Sequence, residues 1–272
     1  MRATQRATWR LIRESDPKPG ALNMATDEAI LRAVATGSAP PTLRLYGWSP
    51  PALTLGRGQP YTDADQAALK ADGITLLRRA TGGTAVFHAD ELTYTIAAHS
   101  DGGIASGVVE SYQGLSIALI YALEKLGLKH AIAREHAENR DSRVDRDPVC
   151  FVAPSDYEIT VGSRKLVGSA QMRIRDGILQ HGSLFLAGDI TRICRYLSTH
   201  PTPEHVHAHA LTLHEALGHA VPWDDVAQAI IEGFSATLKL NLITGPLLPE
   251  EHKDIERLLA NKYANGVWTR RL

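Results

Sequence analysis

Three strand-like segments follow one another between Tyr157 and Leu186, joined by the turn dipeptides Gly162-Ser163 and Asp176-Gly177, and this run constrains the fold more than any other part of the chain. The segments are 157–161, 165–172 and 178–186, and turns this short join antiparallel neighbours while leaving no room for a crossover helix. A doubly wound parallel sheet is therefore not expected. Upstream, strands are predicted at 9–13, 43–46, 52–55, 74–78, 85–87 and 92–96, interleaved with helices at 21–36, 63–71 and 108–126. Downstream the pattern turns helical, at 189–197, 211–217, 223–240 and 249–263. The expected fold class is α+β, with mixed or antiparallel sheets flanked by helices. The polar run from Glu135 to Pro148 reads as a surface loop. No Pro/Gly-rich linker marks a boundary, so residues 1–272 are expected to form a single domain, with the helices from about 203 to 272 at most a small lobe.

Composition narrows the function classes. With 44% hydrophobic residues and 29 Lys+Arg against 30 Asp+Glu, the chain is neither disordered nor a polyelectrolyte. Near-neutrality leaves no electrostatic footprint for nucleic acid or an anionic membrane surface. No apolar run approaches the ~18 residues of a membrane span. The two cysteines, Cys150 and Cys194, are too few for a disulfide framework, and the start MRATQRATWRLIRES lacks the apolar run of a signal peptide, so a reducing cytoplasmic location is expected.

The common signatures fail: neither GxxxxGK[ST], nor GxGxxG after a strand, nor GxSxG occurs. His205, His207 and His209 alternate, which on a strand would place three imidazoles on one side. No carboxylate or cysteine completes a ligand spacing, so a polar histidine-rich loop before a helix is the favoured reading.

Three other stretches carry more chemistry. Arg78 and Arg79 end a strand and run through Thr81 into Gly82-Gly83 and then His88. This is either a cradle for an anionic or carbonyl-rich ligand or a tight turn with solvated arginines. Cys150 sits in the turn-forming stretch Pro148–Ser155, where a thiol is either a reachable nucleophile or an inert buried side chain. Cys194, inside a helix, reads as packing. In the strand beginning Arg164-Lys165, alternation puts Lys165, Val167, Ser169 and Gln171 on one face and Leu166, Gly168 and Ala170 on the other. A lysine among glycine and small residues fits a pocket where an ammonium meets a carbonyl, or the solvated start of an ordinary hairpin.

Together, Arg78-Arg79-x-Thr81-Gly82-Gly83 running into Val86-x-His88, Lys165-Leu166-Val167-Gly168-Ser169-Ala170-Gln171-x-Arg173, and Leu179-Gln180-His181-Gly182-Ser183 resemble the motifs of the biotin/lipoate protein ligase and octanoyltransferase superfamily. The resemblance spans about residues 8–260. Cys150-Phe151-x-x-Pro154-Ser155-x-Tyr157-Glu158-Ile159 is similar to the branch of cysteine-dependent octanoyltransferases of lipoate assembly (LipM-type).

That resemblance implies a ligase-type catalytic domain that moves an octanoyl group from octanoyl-acyl carrier protein to a lysine of a lipoyl domain, such as the glycine cleavage H protein. Cys150 would carry the acyl group as a thioester, with Lys165 near the acyl carbonyl as electrostatic stabiliser or as base. Arg78, Arg79, Gly82, Gly83, Gly168, Ser169 and Gly182 would bind substrate along an acyl tunnel whose mouth His88 and His181 shape. A thioester donor is already activated, so no metal or organic cofactor is implied. Gly82-Gly83-Thr84 replaces the glycine triplet of adenylating relatives and Ala89 their acidic residue after the histidine, which weakens a nucleotide site. Arg57, Arg78, Arg79, Arg164 and Arg173 would form a basic docking rim for acidic partner domains. The alternatives are an ATP-dependent lipoate-protein ligase and a lipoyl-domain amidotransferase. A further octanoyltransferase branch places its cysteine in a Pro-Cys-Gly setting, which the surroundings of Cys194 do not match.

Overall fold

Period-two runs of apolar residues build the sheets and longer apolar stripes the helices. In the computed structural model, which describes residues 6–100, 108–134 and 158–272, the chain opens with β1 (Ala7–Arg13), α1 (Gly20–Ala35), β2 (Thr42–Tyr46) and β3 (Ala52–Leu55). It continues through α2 (Gln66–Ala71), β4 (Thr75–Arg78), β5 (Val86–His88), β6 (Glu91–His99), α3 (Val108–Lys125) and β7 (Ala131–Arg134). Then come β8 (Glu158–Val161), β9 (Arg164–Ile174) and β10 (Gly177–Phe185), followed by a 3-10 stretch over Ile190–Tyr196. The C-terminal part holds α4 (Pro203–His209), α5 (Leu213–Leu217), α6 (Trp223–Thr237), β11 (Leu240–Thr244) and α7 (Pro249–Leu258).

One sheet runs β11-β1-β2-β6-β10-β9-β8-β7 and a second runs β4-β3-β5. β8, β9 and β10 form the antiparallel meander that the two turn dipeptides require, while β1 is parallel to both its neighbours. The fold is thus α+β with a mixed main sheet. Leu43 and Leu45 of β2 and Tyr94 and Ile96 of β6 share a core with Leu115, Ala118 and Leu119 of α3 and Ile230 and Phe234 of α6. Those two helices cross closely: a Cβ at Gly233 would stand 2.2 Å from the Ala118 carbonyl oxygen. Ala97 and Leu179, of opposite parity, join Ile30, Leu31 and Val34 of α1 in a different core. The smaller sheet packs with the 3-10 stretch and α4 around Leu53, Leu55, Phe87, Ile193 and Val206.

α1 is buried beyond its apolar stripe: Asn23, Thr26, Asp27 and Glu28 are also inaccessible. Buried polar groups must find partners, and Asn23, Asp27 and Glu28 do. Asn23 and Asp27 receive Arg44, and Glu28 receives Arg32, Lys262 and Tyr263.

Several expectations change. The helix predicted to end at Leu240 stops at Thr237, Lys239 adopts φ +53°, and Leu240–Thr244 becomes an edge strand parallel to β1. The histidine-rich stretch, expected as a loop, is helix α4: Thr202 caps it and Pro203 begins it. The helix predicted over 63–71 begins only at Gln66, because Asp65 accepts the amides of Ala67 and Ala68 as its cap. The alternation expected along Lys165–Gln171 breaks at a bulge, where Ile159 faces Val167 and Thr160 faces Lys165, so that Leu166 and Val167 enter the same core. The Glu135–Pro148 loop lies outside the described residues. Among the described residues, no helix is long and apolar enough to cross a membrane.

Candidate active site

A cleft of about 360 Å³ lies where β9 and β10 face the wall formed by β5, Trp48 and the turn after β4. Its floor is Gly168, Ser169, Ala170 and Gly182, and its walls include His88, His181, Arg79 and Trp48. The floor depends on a glycine at 182, whose Cβ would stand 2.5 Å from Tyr94 Cε1 and 2.7 Å from Ser169 Oγ. Tyr94 and Ser169 hold each other at 2.8 Å, and Gln180 donates to Tyr94 Oη at 2.9 Å.

The turn is shaped from behind. Arg79 is buried and donates to the carbonyls of Gly82 at 2.7 Å and Thr84 at 2.8 Å, so its guanidinium organises the loop while bordering the cleft. Gly83 has φ +86°, and its carbonyl passes so close to Gly56 that a Cβ there would lie 1.7 Å away. Arg78 is fully buried and donates to the carbonyls of Gly56 at 2.7 Å, Gln59 at 2.5 Å and Thr269 at 2.8 Å. It ties the C-terminal segment to the loop after β3. The docking-rim expectation is therefore corrected for Arg78 and Arg79: guanidiniums saturated by backbone carbonyls in the interior do not form a surface rim.

Two histidines frame the cleft. His88 lies between Thr54 Oγ1, 2.9 Å from Nε2, and Glu91 Oε1, 2.9 Å from Nδ1, and stacks on Trp48 at 3.8 Å between ring centroids. Both ring nitrogens are engaged, so His88 acts as a fixed wall, with no open nitrogen for base catalysis in this arrangement. Glu91 Oε1 also accepts from Ser183 at 2.7 Å and from Thr93, while Glu91 Oε2 is buried without a hydrogen-bond partner among the described residues. His181 contacts Thr81 Oγ1 at 2.7 Å through Nε2 and Asp27 Oδ2 at 3.5 Å through Nδ1. Burial pulls the His181 imidazole below its ordinary value, with Arg79 and His88 adding to this and Asp27 only partly opposing it. Burial would raise the Asp27 carboxyl, but Arg44, His181 and Tyr46 outweigh it and hold the group ionised, below its ordinary value.

Lys165 is buried on β9, three residues before Gly168, with its ammonium against the Glu158 carboxylate of β8. The register explains the pair: Thr160 faces Lys165, and Glu158 lies one side-chain repeat further along β8. Cys150, with Phe151, Pro154, Ser155 and Tyr157, lies outside the described residues. Cys194 is half-buried against the core of the smaller sheet, and burial pushes its thiol up. Arg57 is exposed, and Arg173 bridges Gln171 and Ser111. Among the described residues, no group of three or more His, Cys, Asp and Glu side chains is placed to hold a metal ion. On helix α4, His205 and His209 share one turn, their ring centroids 4.7 Å apart.

Of the carboxylates that organise these groups, only Glu158 falls within one of the sequence motifs. Glu91 lies three residues after His88 and Glu158 seven before Lys165 across the β8–β9 hairpin, whereas Asp27 reaches its partners through tertiary packing.

The chain is a lipoate-ligase-type catalytic domain. A crystal structure of lipoate-protein ligase A bound with ATP superposes over 98% of this chain and 99% of its own, with TM-score 0.81 at 23% identity, and so shares the fold. The profile of the lipoyl protein ligase A/B catalytic domain matches residues 19–235. Octanoyltransferase LipM of Symbiobacterium thermophilum is 39% identical over 97% of this chain and 98% of its own, and that of Kyrpidia tusciae is 40% identical over 97% and 99%. The chain belongs to the lipoyl protein ligase A/B catalytic domain family.

Proposed function

We propose that the chain is a cysteine-dependent octanoyltransferase that moves octanoyl from octanoyl-acyl carrier protein to a lysine of a lipoyl domain, such as that of the glycine cleavage H protein. The observation that carries this reading is the end-to-end similarity, at 39% and 40% identity, to two proteins named octanoyltransferase LipM. The cleft suits the chemistry: its floor of Gly168, Ser169, Ala170 and Gly182 leaves room for an unbranched acyl chain.

In the first half-reaction the Cys150 thiolate attacks the octanoyl carbonyl, and the carrier's thiol leaves with a proton. In the second, the acceptor lysine's neutral amine attacks the Cys150 thioester, the Cys150 sulfur departs as thiolate, and the new amide sheds one proton. Lys165, with Glu158 holding its ammonium, supplies positive charge for the oxyanion of each tetrahedral intermediate. His88, Gly168, Ser169, His181 and Gly182 shape the acyl site directly with Arg79, Gly82 and Gly83 form the turn whose carbonyl Arg79 holds, and Arg78 supports it from behind. The chain works as one catalytic domain, without a metal or organic cofactor.

Purified protein, octanoyl-acyl carrier protein and an apo lipoyl domain, mixed without ATP, test the reading by mass spectrometry. The lipoyl domain gains one octanoyl group with wild type and with Cys194→Ser, but not with Cys150→Ser. Strict ATP dependence with free octanoate or lipoate would replace the transferase by a ligase, and full activity of Cys150→Ser would overturn the cysteine thioester.

A further inference from the structure

Helix α1 meets His181 of the cleft through a side chain that the transfer chemistry leaves unused. Asp27 is 3% exposed and gathers groups from three strands: Arg44 Nη1 at 2.7 Å and Tyr46 Oη at 2.8 Å from β2, Thr95 Oγ1 at 2.8 Å from β6, and His181 Nδ1 at 3.5 Å from β10. A carboxylate takes hydrogen bonds and gives none, so the proton of a neutral His181 belongs on Nδ1. With the other tautomer, the Nδ1 lone pair would face the carboxylate. Nε2 is then an acceptor, and the hydrogen bond across 2.7 Å runs from the Thr81 hydroxyl to the imidazole.

Thr81 is the last residue before Gly82-Gly83, and its carbonyl accepts the Arg57 amide at 2.8 Å. The loop is therefore gripped at two kinds of point. Arg79 holds the carbonyls of Gly82 and Thr84, and His181 holds the Thr81 side chain. The charged and titratable groups facing the imidazole are Asp27 from α1, Arg79 from the loop after β4, and His88 from β5, with Arg44 beyond Asp27.

We infer that Asp27 is a positioning residue for acyl transfer, acting through the His181 tautomer to hold Thr81 and the Gly82-Gly83 turn against the acyl cleft. The inference rests on the octanoyltransferase reading for its kinetic consequence, but not for its spectroscopic one. A fixed turn keeps the thioester carbonyl in register with the reacting groups, so loosening it lowers kcat more than it raises KM.

Imidazole ¹⁵N NMR of wild type and variants, combined with the transfer assay, tests it. Wild-type His181 is expected to show a protonated Nδ1 and an acceptor Nε2. Asp27→Asn, whose amide can itself donate to Nδ1, is expected to shift the tautomer toward Nε2–H and lower kcat 10- to 100-fold. Thr81→Val is expected to lower kcat by a similar factor, and the conservative Thr81→Ser to rescue most of it. The Asp27→Asn/Thr81→Val pair should fall little below either single variant. Thr81 lies in a loop, so its variants keep the test open if Asp27→Asn does not fold. An Nε2–H tautomer in wild type, or unchanged kcat in Thr81→Val, overturns the inference. A wild type with the expected tautomer but no transfer overturns the octanoyltransferase reading and leaves the tautomer link standing.

Discussion

His88 and His181 border the same cleft, and each is buried beside a carboxylate, yet they are built from different materials. The partners of His88 come from its own neighbourhood: Glu91 is three residues away, and Thr54 sits on the adjacent strand of the small sheet. Those of His181 lie 154 and 100 residues away, on α1 and on the loop after β4. His88 is enclosed by a local box and stacked on Trp48; His181 fastens three separate elements to one another. A wall needs only local order, whereas a fastening fails when any element shifts. The two carboxylates repeat the contrast, since Asp27 compensates the buried Arg44 whereas Glu91 collects Ser183, Thr93 and one imidazole nitrogen.

The largest expected effect separates those carboxylates. Asp27→Ala leaves Arg44 buried with Glu14 as its remaining carboxylate, and is expected to destabilise the fold by about 3–5 kcal/mol, toward the lower figure because Glu14 stays in place. Glu91→Gln keeps a carbonyl acceptor for Ser183 and Thr93, and is expected to cost about 1–3 kcal/mol. Urea unfolding of both variants measures the difference. Equal losses would erase the distinction between fastening and wall.

How much of this was legible in the sequence depends on the range of each contact. The β8–β10 meander was legible because Gly162-Ser163 and Asp176-Gly177 act locally, and the Thr81-Gly82-Gly83 and Gly168-Ser169 segments drew attention through their small residues. Asp27 was hidden because the apolar spacing of Leu22, Ala25 and Ala29 implies one buried face, while packing between the main sheet and α7 buries most of the helix. β11 was hidden because Leu240–Thr244 has no partner nearby; its pairing is with β1 at the other end of the chain. α4 was a different failure. Thr202-Pro203-Glu204 is a readable helix start, but the polar, histidine-rich composition that follows it reads as a loop. The arginines at 78 and 79 declared their charge without declaring which carbonyls they would meet.

pH gives an intermediate effect on His181. Its native pKa is held below the ordinary 6.5, so between 6.5 and that lower value the unfolded chain binds more protons than the folded one. Stability from this group is present above 6.5 and is lost as pH falls below it, with a slope no steeper than about 1.4 kcal/mol per pH unit for one proton. Urea titrations from pH 7.5 to 5 should show His181→Gln with the shallower decline. A slope unchanged by His181→Gln would mean that the imidazole takes up its proton in the folded state as readily as in the unfolded one.

The smallest effect tests the wall. Trp48 stacks on His88 and donates through Nε1 to Thr93 Oγ1 at 2.8 Å, and Thr93 passes its own proton toward Glu91. Trp48→Phe retains an aromatic face for His88 but removes that donor, leaving Thr93 anchored to Glu91 alone. A loss of about 1 kcal/mol is expected from the missing hydrogen bond. The smaller ring also enlarges the cleft at the wall that Trp48 forms. If the acyl chain runs along that wall, decanoyl transfer should gain at least about tenfold over octanoyl in direct competition, because a methylene in an apolar pocket is worth about 1–3 kcal/mol and decanoyl adds two. An unaltered preference would place the chain's end away from Trp48, and the wall would then serve only to hold His88 and Glu91 in place.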